Sequence, residues 1–533
     1  MTEYNEVQVN IERVGSGPEV IDEVSQVLSE HPSVQEQLSE TRQRLLSIEL
    51  LNPEGAGRVD GLEPDRYRAT TYDYTNNRVI LTTGSLDDVR GSMEVSESGH
   101  QPLPTREEFE EAVEILHEDR DLGPKIRKQK VEPQPAMPPL ITEPTRPDGR
   151  IERTLAVLLL SRSDAARNEV VGVNMISRTV SRFHDRAPSE ALASHHACGL
   201  PNAGQTPTPW GTPGQYRVTI TQGGTTLWSF LVFRPSYSLG INGSGVTLRE
   251  VDYRGKRVLY RAHVPILNVQ YDGDACGPFR DWLYEESWIQ ATGTNVAQGI
   301  RWCPTPARTI LDPPETDSGN FRGVAIYRDG QEVVVVSELE AGYYRYVSEW
   351  RLHDDGTISP RFGFSAVENP CVCEVHHHHV YWRFDFDILA EGNNVVWEYN
   401  SPPITSSNWH INYWEVMRLR NPSRSRRWWI ENSTTGDAYM LIPGPDDGVA
   451  DAFARGDVWI LRHHDWEIDD GISAAPSQAG LSQPNAPADI GRFINGESTY
   501  NQDIAIWYAA HFTHDVHEES GHIVGPTLQA VQW

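Results

Sequence analysis

The chain has 533 residues, and a hydrophobic fraction of 38% with 16 Trp and 20 Tyr predicts a globular protein with large cores. Its 46 basic and 75 acidic residues give a formal net charge of −29, which argues against nucleic acid as a partner. No run of about 18 apolar residues occurs, which excludes a membrane-spanning helix. The first residues carry no basic segment followed by an apolar run, so we expect no secretory signal and a cytoplasmic protein.

The cysteines are too few for a dense disulfide framework, and their odd count leaves at least one thiol unpaired within the chain. One internal disulfide is compatible with this count. The pair Cys371 and Cys373 has three interpretations: soft metal ligands, a redox pair or ordinary strand residues, of which the last is favoured. The five cysteines are Cys198, Cys276, Cys303, Cys371 and Cys373.

The first 100 residues predict a small α/β domain. Residues 18–46 have apolar residues at helical spacing, with a break at His31-Pro32. Residues 66–74 and 78–83 then read as two strands of a hairpin around Thr75-Asn76-Asn77.

Residues 101–203 predict a second domain with a similar layout. Thr105 stands three residues before Glu108, which is the capping-box pattern of a helix start. Residues 133–147 are rich in proline and predict a connection without secondary structure. Residues 154–160 and 169–176 follow as paired strands.

From residue 204 to residue 533 almost every periodic segment alternates as a strand does. The fold class is therefore mainly β with an α+β N-terminal part: a large antiparallel β-sandwich preceded by two small α/β domains. The predicted strands of this region are residues 216–221, 226–233, 258–264, 323–327, 332–336 and 380–388.

Four consecutive histidines, His376 to His379, lead into the last of these predicted strands. Because alternate side chains of a strand share a face, either His376 with His378 or His377 with His379 can bind one metal ion. Imidazole ligands suit copper, zinc or iron rather than magnesium or calcium. The alternative is a solvated, histidine-rich loop.

Several stretches together resemble one enzyme family. Trp228-Ser229-Phe230, residues 245–262, the histidine block and Arg383 with the acidic residues after it are similar to segments of the copper amine oxidases. The resemblance extends from about residue 20 to residue 530 and is diffuse before residue 210. It implies a β-sandwich catalytic domain, two preceding cystatin-like domains and a homodimer.

The resemblance also implies the copper ligands. Counting back from Arg383 matches His376 and His378 to the family's His-x-His pair, and His514 matches its third histidine. His511 is the local rival of His514. His463 and His464 read as polar loop residues.

The family's quinone cofactor, topaquinone, forms from a tyrosine, and alignment on Trp350 and Gly356 matches Tyr344 to it, with Tyr343 as the rival. Three neighbours depart from the family's pattern, and all three belong to the segment that orients this ring: Tyr343 replaces an Asn, Arg345 replaces an acid, and Glu340 replaces a Ser or Thr.

Two further residues are matched to catalytic roles. Asp281 resembles the family's catalytic base, and Tyr271 resembles the tyrosine that hydrogen-bonds the cofactor. Asp272 and Asp274 flank Gly273 and read as turn residues.

A second metal site, for calcium, is implied by the acidic residues that follow the histidine pair and precede the third histidine. Carboxylates and backbone carbonyls are the ligands calcium prefers. The ligands would be Asp385, Phe386, Asp387, Asp503 and Ile504.

The resemblance implies oxidative deamination of a small primary amine by molecular oxygen, giving an aldehyde, ammonia and hydrogen peroxide. Tyr343 and Arg345 favour an alternative, a copper-binding protein on the same scaffold that lacks the quinone. A third interpretation, a non-quinone oxygenase with two histidines and a carboxylate, requires Asp503 or Asp515 as a metal ligand in place of His514.

Overall fold

A computed structural model describes most of the chain. The described residues are 7–17, 19–51, 63–98, 101–102, 104–141, 151–161, 169–182, 198–201, 215–237, 245–271, 279–281, 286–465, 467–468, 489–514 and 521–533. Among them, no helix is long and apolar enough to span a membrane.

The first α/β unit packs two short helices against a four-stranded antiparallel meander. Val24, Leu28, Val34 and Leu38 are the helix residues buried against it. A preceding strand, β1 (Val7–Arg13), pairs elsewhere. The elements of the unit are α1 (Glu19–Glu30), α2 (Pro32–Leu38), β2 (Gln43–Leu51), β3 (Arg66–Asp73), β4 (Arg78–Ser85) and β5 (Glu94–Ser98).

The predicted helix over residues 18–46 is correct only in its first part. The break at His31-Pro32 is present, but the helix ends at Leu38 and residues from Gln43 onward form β2. Ile48 and Leu50 are buried in β2, two residues apart, which is the period of a strand. Pairing with β3 overrides the apolar spacing that had suggested a helix.

The second α/β unit repeats this arrangement. The capping box is confirmed: the Thr105 side chain accepts from the Glu108 N–H, and the Glu108 carboxylate accepts from the Thr105 N–H. The same carboxylate pairs with buried Arg153 at 2.6 Å. The elements are α3 (Arg106–Glu118), α4 (Leu122–Arg127), β6 (Val131–Leu140), β7 (Thr154–Ser161), β8 (Glu169–Asn174) and β9 (Thr179–Arg182).

The proline-rich stretch over residues 133–147 is not simply a connection. Its first part belongs to β6, in which Pro133 and Pro135 pair with β7. Strand β6 lies at the edge of its sheet, where a missing backbone N–H is tolerated.

The remaining chain forms the strands of the large sandwich and a separate two-stranded sheet of Trp288–Ile289 and Phe321–Arg322. They are β10 (Gln215–Gln222), β11 (Thr225–Phe233), β12 (Thr247–Tyr253), β13 (Lys256–Tyr271), β14 (Phe279–Asp281), β15 (Trp288–Ile289), β16 (Thr294–Ala297), β17 (Ile300–Cys303), β18 (Phe321–Arg322), β19 (Val324–Asp329), β20 (Glu332–Ala341), β21 (Tyr344–His353), β22 (Ile358–Ala366), β23 (His376–Phe386), β24 (Asn394–Tyr399), β25 (Trp409–Asn412), β26 (Val416–Arg418), β27 (Arg427–Asn432), β28 (Ala438–Ile442), β29 (Val458–Arg462), β30 (Ile504–His514), β31 (His522–Val524) and β32 (Thr527–Gln532).

Two large sheets are built from these strands. The first sheet has the order β1-β10-β11-β12-β13-β23-β30-β29-β26, with β14 on β13. The second has the order β16-β17-β19-β20-β21-β22-β32-β28-β27-β24-β25, with β31 on β22. The predicted fold class, a mainly β chain with a large sandwich, is therefore confirmed.

The main core lies between the two sheets. Trp382 of the first sheet meets Phe362 of the second at a ring-centroid distance of 6.4 Å, and both side chains are buried. Each sheet also has a covered outer face: residues around 307–317 cover the second sheet, and residues around 443–457 cover the first. Strands β21 and β23 are consequently buried on both faces, and alternate residues enter different environments.

Candidate metal centre

Three of the predicted ligands meet between the sheets. Strands β23 and β30 pair antiparallel with His376 opposite His514 and His378 opposite Phe512. The His376 Nε2 and His514 Nδ1 atoms lie 3.0 Å apart, and the rings of His376 and His378 are 4.9 Å apart between centroids. The His-x-His pair and the downstream histidine therefore form one cluster of imidazoles on the inner face.

His378 is enclosed by aromatic rings. Phe512 stacks on it at 4.9 Å, Phe364 lies 4.8 Å away and Tyr346 lies 6.1 Å away. Within the described part of the chain, neither ring nitrogen of His378 has a hydrogen-bond partner, and the side chain is fully buried. Burial holds the pKa of His378 well below its usual value, with the neighbouring histidines adding to the effect. A neutral, orphaned imidazole of this kind is suited to a metal ion.

His376 is oriented by a backbone carbonyl. Its Nδ1 lies 2.6 Å from the Glu374 carbonyl oxygen and donates to it, so the Nε2 lone pair faces the cluster. Burial, together with the charge of the neighbouring His514, lowers the pKa of His376 to about 3. Such an outer hydrogen bond fixes the tautomer of a metal-binding histidine. His376 and His378 are therefore neutral imidazoles, a ligand type that suits copper, and the Nε2 atom of His376 is turned toward the cluster.

The side chains of the other two histidines of the block, His377 and His379, lie on the outer face of the first sheet. His377 hydrogen-bonds Thr513 at 3.0 Å. His379 lies opposite His511 in the register, and their Nδ1 atoms are 3.0 Å apart. His511, the local rival for the third copper ligand, is thus on the face away from His376 and His378.

Tyr344 lies against the imidazole cluster. Its hydroxyl hydrogen-bonds His376 Nε2, and its ring lies 4.8 Å from that of His378. The side chain is 1% exposed and stacks on Tyr346 at 5.4 Å. The ring of Tyr343, the rival residue, packs on Tyr344 at 5.2 Å. The Tyr344 hydroxyl thus reaches a predicted copper ligand.

A tight turn between β20 and β21 positions Tyr344. Ala341 and Tyr344 are paired in the register of β20 and β21, so Gly342 and Tyr343 form a two-residue hairpin loop. Gly342 has φ +60°, a left-handed conformation that glycine adopts at little cost.

Two of the three residues that depart from the family's tyrosine motif, Arg345 and Glu340, have side chains that face away from the histidine cluster. Arg345 is 1% exposed and pairs with Asp317 at 2.7 Å, while Glu340 lies 3.7 Å from its guanidinium. The Arg345 side chain also donates to the carbonyl oxygens of Gly342 and Tyr344 at 3.1 and 3.0 Å. Arg345 and Glu340 therefore brace the turn from the outer face of the second sheet.

The proposed base and its tyrosine partner are described by backbone position only. Tyr271 pairs with His376 across β13 and β23, and Asp281 pairs with Leu267 across β14 and β13. The Tyr271 backbone is thus on the strand next to the histidine strand, and the Asp281 backbone is one strand further away. Asp272, Asp274 and Asp515 lie outside the described residues.

The second metal group differs from the predicted calcium ligands. Asp385 and Asp503 are brought together, but His463 stands between them, with its Nε2 3.0 Å from Asp385 and its Nδ1 3.3 Å from Asp503. His463 lies in the loop after β29, as expected of a polar loop residue, but its side chain is only 8% exposed and contacts both acids. Its separation in sequence from both acids gave no signal of this contact. The pKa of His463 is raised: burial lowers it, and the two carboxylates outweigh that effect.

The other predicted calcium ligands lie on or next to the same strands, β23 and β30. Phe386 and Ile504 are paired in the register of β23 and β30, and Asp387 is buried at 4% exposure. Asp385, His463 and Asp503 each have a ligand atom within 4.8 Å of those of the other two.

The cysteines before the histidine block are structural. Cys198 and Cys373 form a disulfide, and Cys371 is also disulfide-bonded. The favoured interpretation of Cys371 and Cys373 as ordinary strand residues is therefore wrong: they lie in a 3₁₀ turn, Pro370–Cys373, immediately before β23. Cys303 is a free, buried thiol.

No protein-family model matches the sequence, and no curated protein matches it. Solved structures match along nearly the whole chain. The copper-containing benzylamine oxidase of Hansenula polymorpha superimposes with a TM-score of 0.60 at 14% identity, covering 95% of this chain and 96% of that one.

Two more structures give the same result. The lysyl oxidase of Pichia pastoris has a TM-score of 0.58 at 11% identity, covering 100% of this chain and 90% of that one. The amine oxidase of Aspergillus nidulans has a TM-score of 0.55 at 13% identity, covering 100% and 89%. At these identities the likeness establishes the fold: the chain has the architecture of the copper amine oxidases.

Proposed function

We propose that the protein is a divergent copper amine oxidase, which oxidises a primary amine to an aldehyde and releases ammonia and hydrogen peroxide. The observation that carries the proposal is the Tyr344 hydroxyl bonded to His376 inside a cluster of buried histidines. The shared fold supports the scaffold.

Copper would be held by His376, His378 and His514. The orphaned nitrogens of His378 and the carbonyl-oriented ring of His376 support this set. When bound, copper supplies the oxidation of an adjacent tyrosine by molecular oxygen. The role of Asp503 as a replacement ligand finds less support, because Asp503 is engaged with His463.

Tyr344 would be the precursor of the quinone, which, when formed, supplies an electrophilic carbonyl for a primary amine. The chain's own part is orientation: Tyr346 stacks on the ring, and the Arg345 brace fixes the turn before it. Asp281 would remove the proton from the α-carbon of the substrate, and Tyr271 would hydrogen-bond the cofactor. A base in this role needs a pKa near the working pH.

The substrates proposed are a small primary amine and molecular oxygen. The net charge of −29 favours cationic amines in the vicinity of the protein without selecting one. We propose a homodimer, by analogy with the family named by the resemblance.

Location is a separate proposal. A cytoplasmic protein was expected from the sequence, whereas the Cys198–Cys373 disulfide is typical of oxidising compartments. The sequence favours the cytoplasm, and the disulfide favours an oxidising compartment. We give more weight to the disulfide because it is a physical feature of the fold.

Calcium at Asp385, Phe386, Asp387, Asp503 and Ile504 stays a proposal. His463 occupies the space between two of the carboxylates, so the metal would have to displace this side chain or use it as a ligand. An imidazole ligand is more typical of zinc or copper than of calcium.

The alternative function is copper binding without the quinone. Tyr343 favours it, because a buried tyrosine packs on Tyr344 where the family has an asparagine. The two functions differ in the product formed from an amine.

The experiment is an oxidase assay on the copper-loaded protein with a panel of primary amines, measuring aldehyde and hydrogen peroxide. The proposal expects product from the unmodified chain and from Tyr343→Phe, and none from Tyr344→Phe. Copper binding with no product from any amine supports the alternative, and equal activity in Tyr344→Phe overturns the assigned precursor.

A further inference from the structure

A second histidine pair lies on the face of the first sheet that is turned away from the copper site. It consists of His379 on β23 and His511 on β30, and we call it the outer histidine pair. Both side chains are buried, with exposures of 0% and 4%. Their Nδ1 atoms are 3.0 Å apart, so one nitrogen donates to the other.

The protons in this pair can be assigned from its neighbours. His511 Nε2 lies 3.0 Å from the Asp457 carboxylate and 3.1 Å from the Gly456 carbonyl oxygen. Both are acceptors, so this nitrogen carries a proton. In the neutral ring, His511 Nδ1 is then an acceptor and receives the N–H of His379 Nδ1. The second nitrogen of His379, Nε2, is left with a bare lone pair.

That lone pair has no hydrogen-bond partner among the described residues, although the side chain is buried. It faces the carboxylate of Asp451, whose Oδ2 is 3.8 Å away. This distance is too long for a hydrogen bond, and in this tautomer neither atom bears a proton. Two acceptors therefore face each other across a gap.

Asp451 is held in this orientation. Its Oδ1 accepts from the backbone N–H groups of Phe453 and Ala454 at 2.8 and 2.7 Å, which leaves Oδ2 for the gap. The ring of Phe453 lies beside that of His379, with centroids 5.6 Å apart. The Asp451 side chain is 38% exposed, so water can reach the gap.

We propose that His379 Nε2 and Asp451 Oδ2 form a second transition-metal site, for a divalent ion such as zinc or copper. Metal–nitrogen and metal–oxygen bonds of about 2.0–2.2 Å allow one ion to bridge atoms at this separation. Water completes the coordination from the exposed side of Asp451. The chain from His379 through His511 to Asp457 is the outer hydrogen bonding that makes a metal-binding histidine more basic.

This site is independent of the amine oxidase proposal. It uses the opposite face of β23 and β30 and shares no ligand with His376, His378 and His514. One imidazole, one carboxylate and water are ligand types that zinc and copper accept, and two protein ligands leave coordination positions open for exchange.

The test is calorimetric titration of the copper-loaded protein with Zn²⁺, with the copper content measured before and after. We expect one ion per chain to bind at this site, in addition to any at Asp385, His463 and Asp503, and its affinity to be at least about tenfold weaker in both Asp451→Asn and His379→Gln. The asparagine oxygen can still accept from the Phe453 and Ala454 N–H groups, so Asp451→Asn keeps the turn.

A matched control is His353→Gln. His353 also faces a carboxylate, that of Asp355 at 2.7 Å, but both side chains are partly exposed, at 27% and 59%. This variant should leave the Zn²⁺ affinity unchanged. The proposal is overturned if no additional ion binds, if Asp451→Asn binds Zn²⁺ as tightly as the unmodified chain, or if uptake only matches the copper released.

Discussion

Strands β21 and β23 each have one face toward the space between the sheets and one toward a covering segment, and the buried polar side chains differ between the two. On the inner face, Tyr344, His376 and His378 are surrounded by aromatic rings. On the outer face, Arg345 pairs with Asp317, and His379 continues into His511 and Asp457.

The difference between the two faces arises because alternate residues of one strand enter two different environments. Inner-face imidazoles are neutral because burial among rings disfavours the charged form. On the outer face, Arg345 retains its charge because the covering segment brings the Asp317 carboxylate to it. The inner face thus groups neutral imidazoles with aromatic rings, and the outer face pairs polar and charged side chains with carboxylates.

The largest effect, on copper content, is expected from removing a histidine on the inner face. His378→Ala should reduce bound copper from about one ion per chain to almost none, because the site loses one of three imidazoles. His511→Ala, which removes an imidazole from the outer face of the same strand pair, should retain copper. Metal analysis after dialysis against a weak chelator measures both. Equal copper loss in the two variants would contradict the division between the faces.

A smaller effect is expected at the outer face of β21. Arg345→Met leaves the buried Asp317 carboxylate without its cation, and we expect a loss of about 3–5 kcal/mol in the free energy of unfolding. The control is Arg90→Met, which removes an exposed pair with Glu30 at 2.9 Å and should change stability by less than about 1 kcal/mol. Urea unfolding measures both, and similar small losses would show that Arg345 is not a brace.

The smallest effect concerns Glu338, next to this brace on β20. Burial raises its pKa to about 8, and its Oε2 accepts from the Ile310 N–H at 2.7 Å. The folded state therefore holds a proton that the unfolded state releases above its ordinary pKa of 4.5. This group's contribution to stability is complete below that value and is lost as the pH rises toward 8.

Replacing Glu338 by glutamine removes this proton uptake while keeping the acceptor for Ile310. Relative to the unmodified chain, Glu338→Gln should gain stability with increasing pH, by at most about 1.4 kcal/mol per pH unit. Unfolding titrations in steps across this pH interval measure the difference. A difference that does not vary with pH would mean that Glu338 is ionised in the folded protein.

Local patterns in the sequence were sufficient for much of the inner face. Alternation in β23 separated His376 and His378 from their neighbours, and the capping box at Thr105 predicted the start of α3. These features depend on residues close together in the chain. The resemblance added His514, whose position opposite His376 depends on strand pairing.

What the sequence could not provide came from distant segments. Asp317 reaches Arg345, and His463 reaches Asp385, across separations that leave no periodic signal. The strand over Pro133 was missed because proline is disfavoured in a sheet unless the strand lies at its edge. Disulfide connectivity likewise depends on the fold, which brings Cys198 to Cys373.

Mass spectrometry of the peptide spanning residues 339–351, taken before and after aerobic copper loading, tests the central claim most directly. The account predicts that Tyr344 gains two oxygen atoms and loses two hydrogen atoms, that phenylhydrazine labels the product, and that His378→Ala blocks the change. An unmodified Tyr344 in a chain that has bound copper at the three histidines would contradict it.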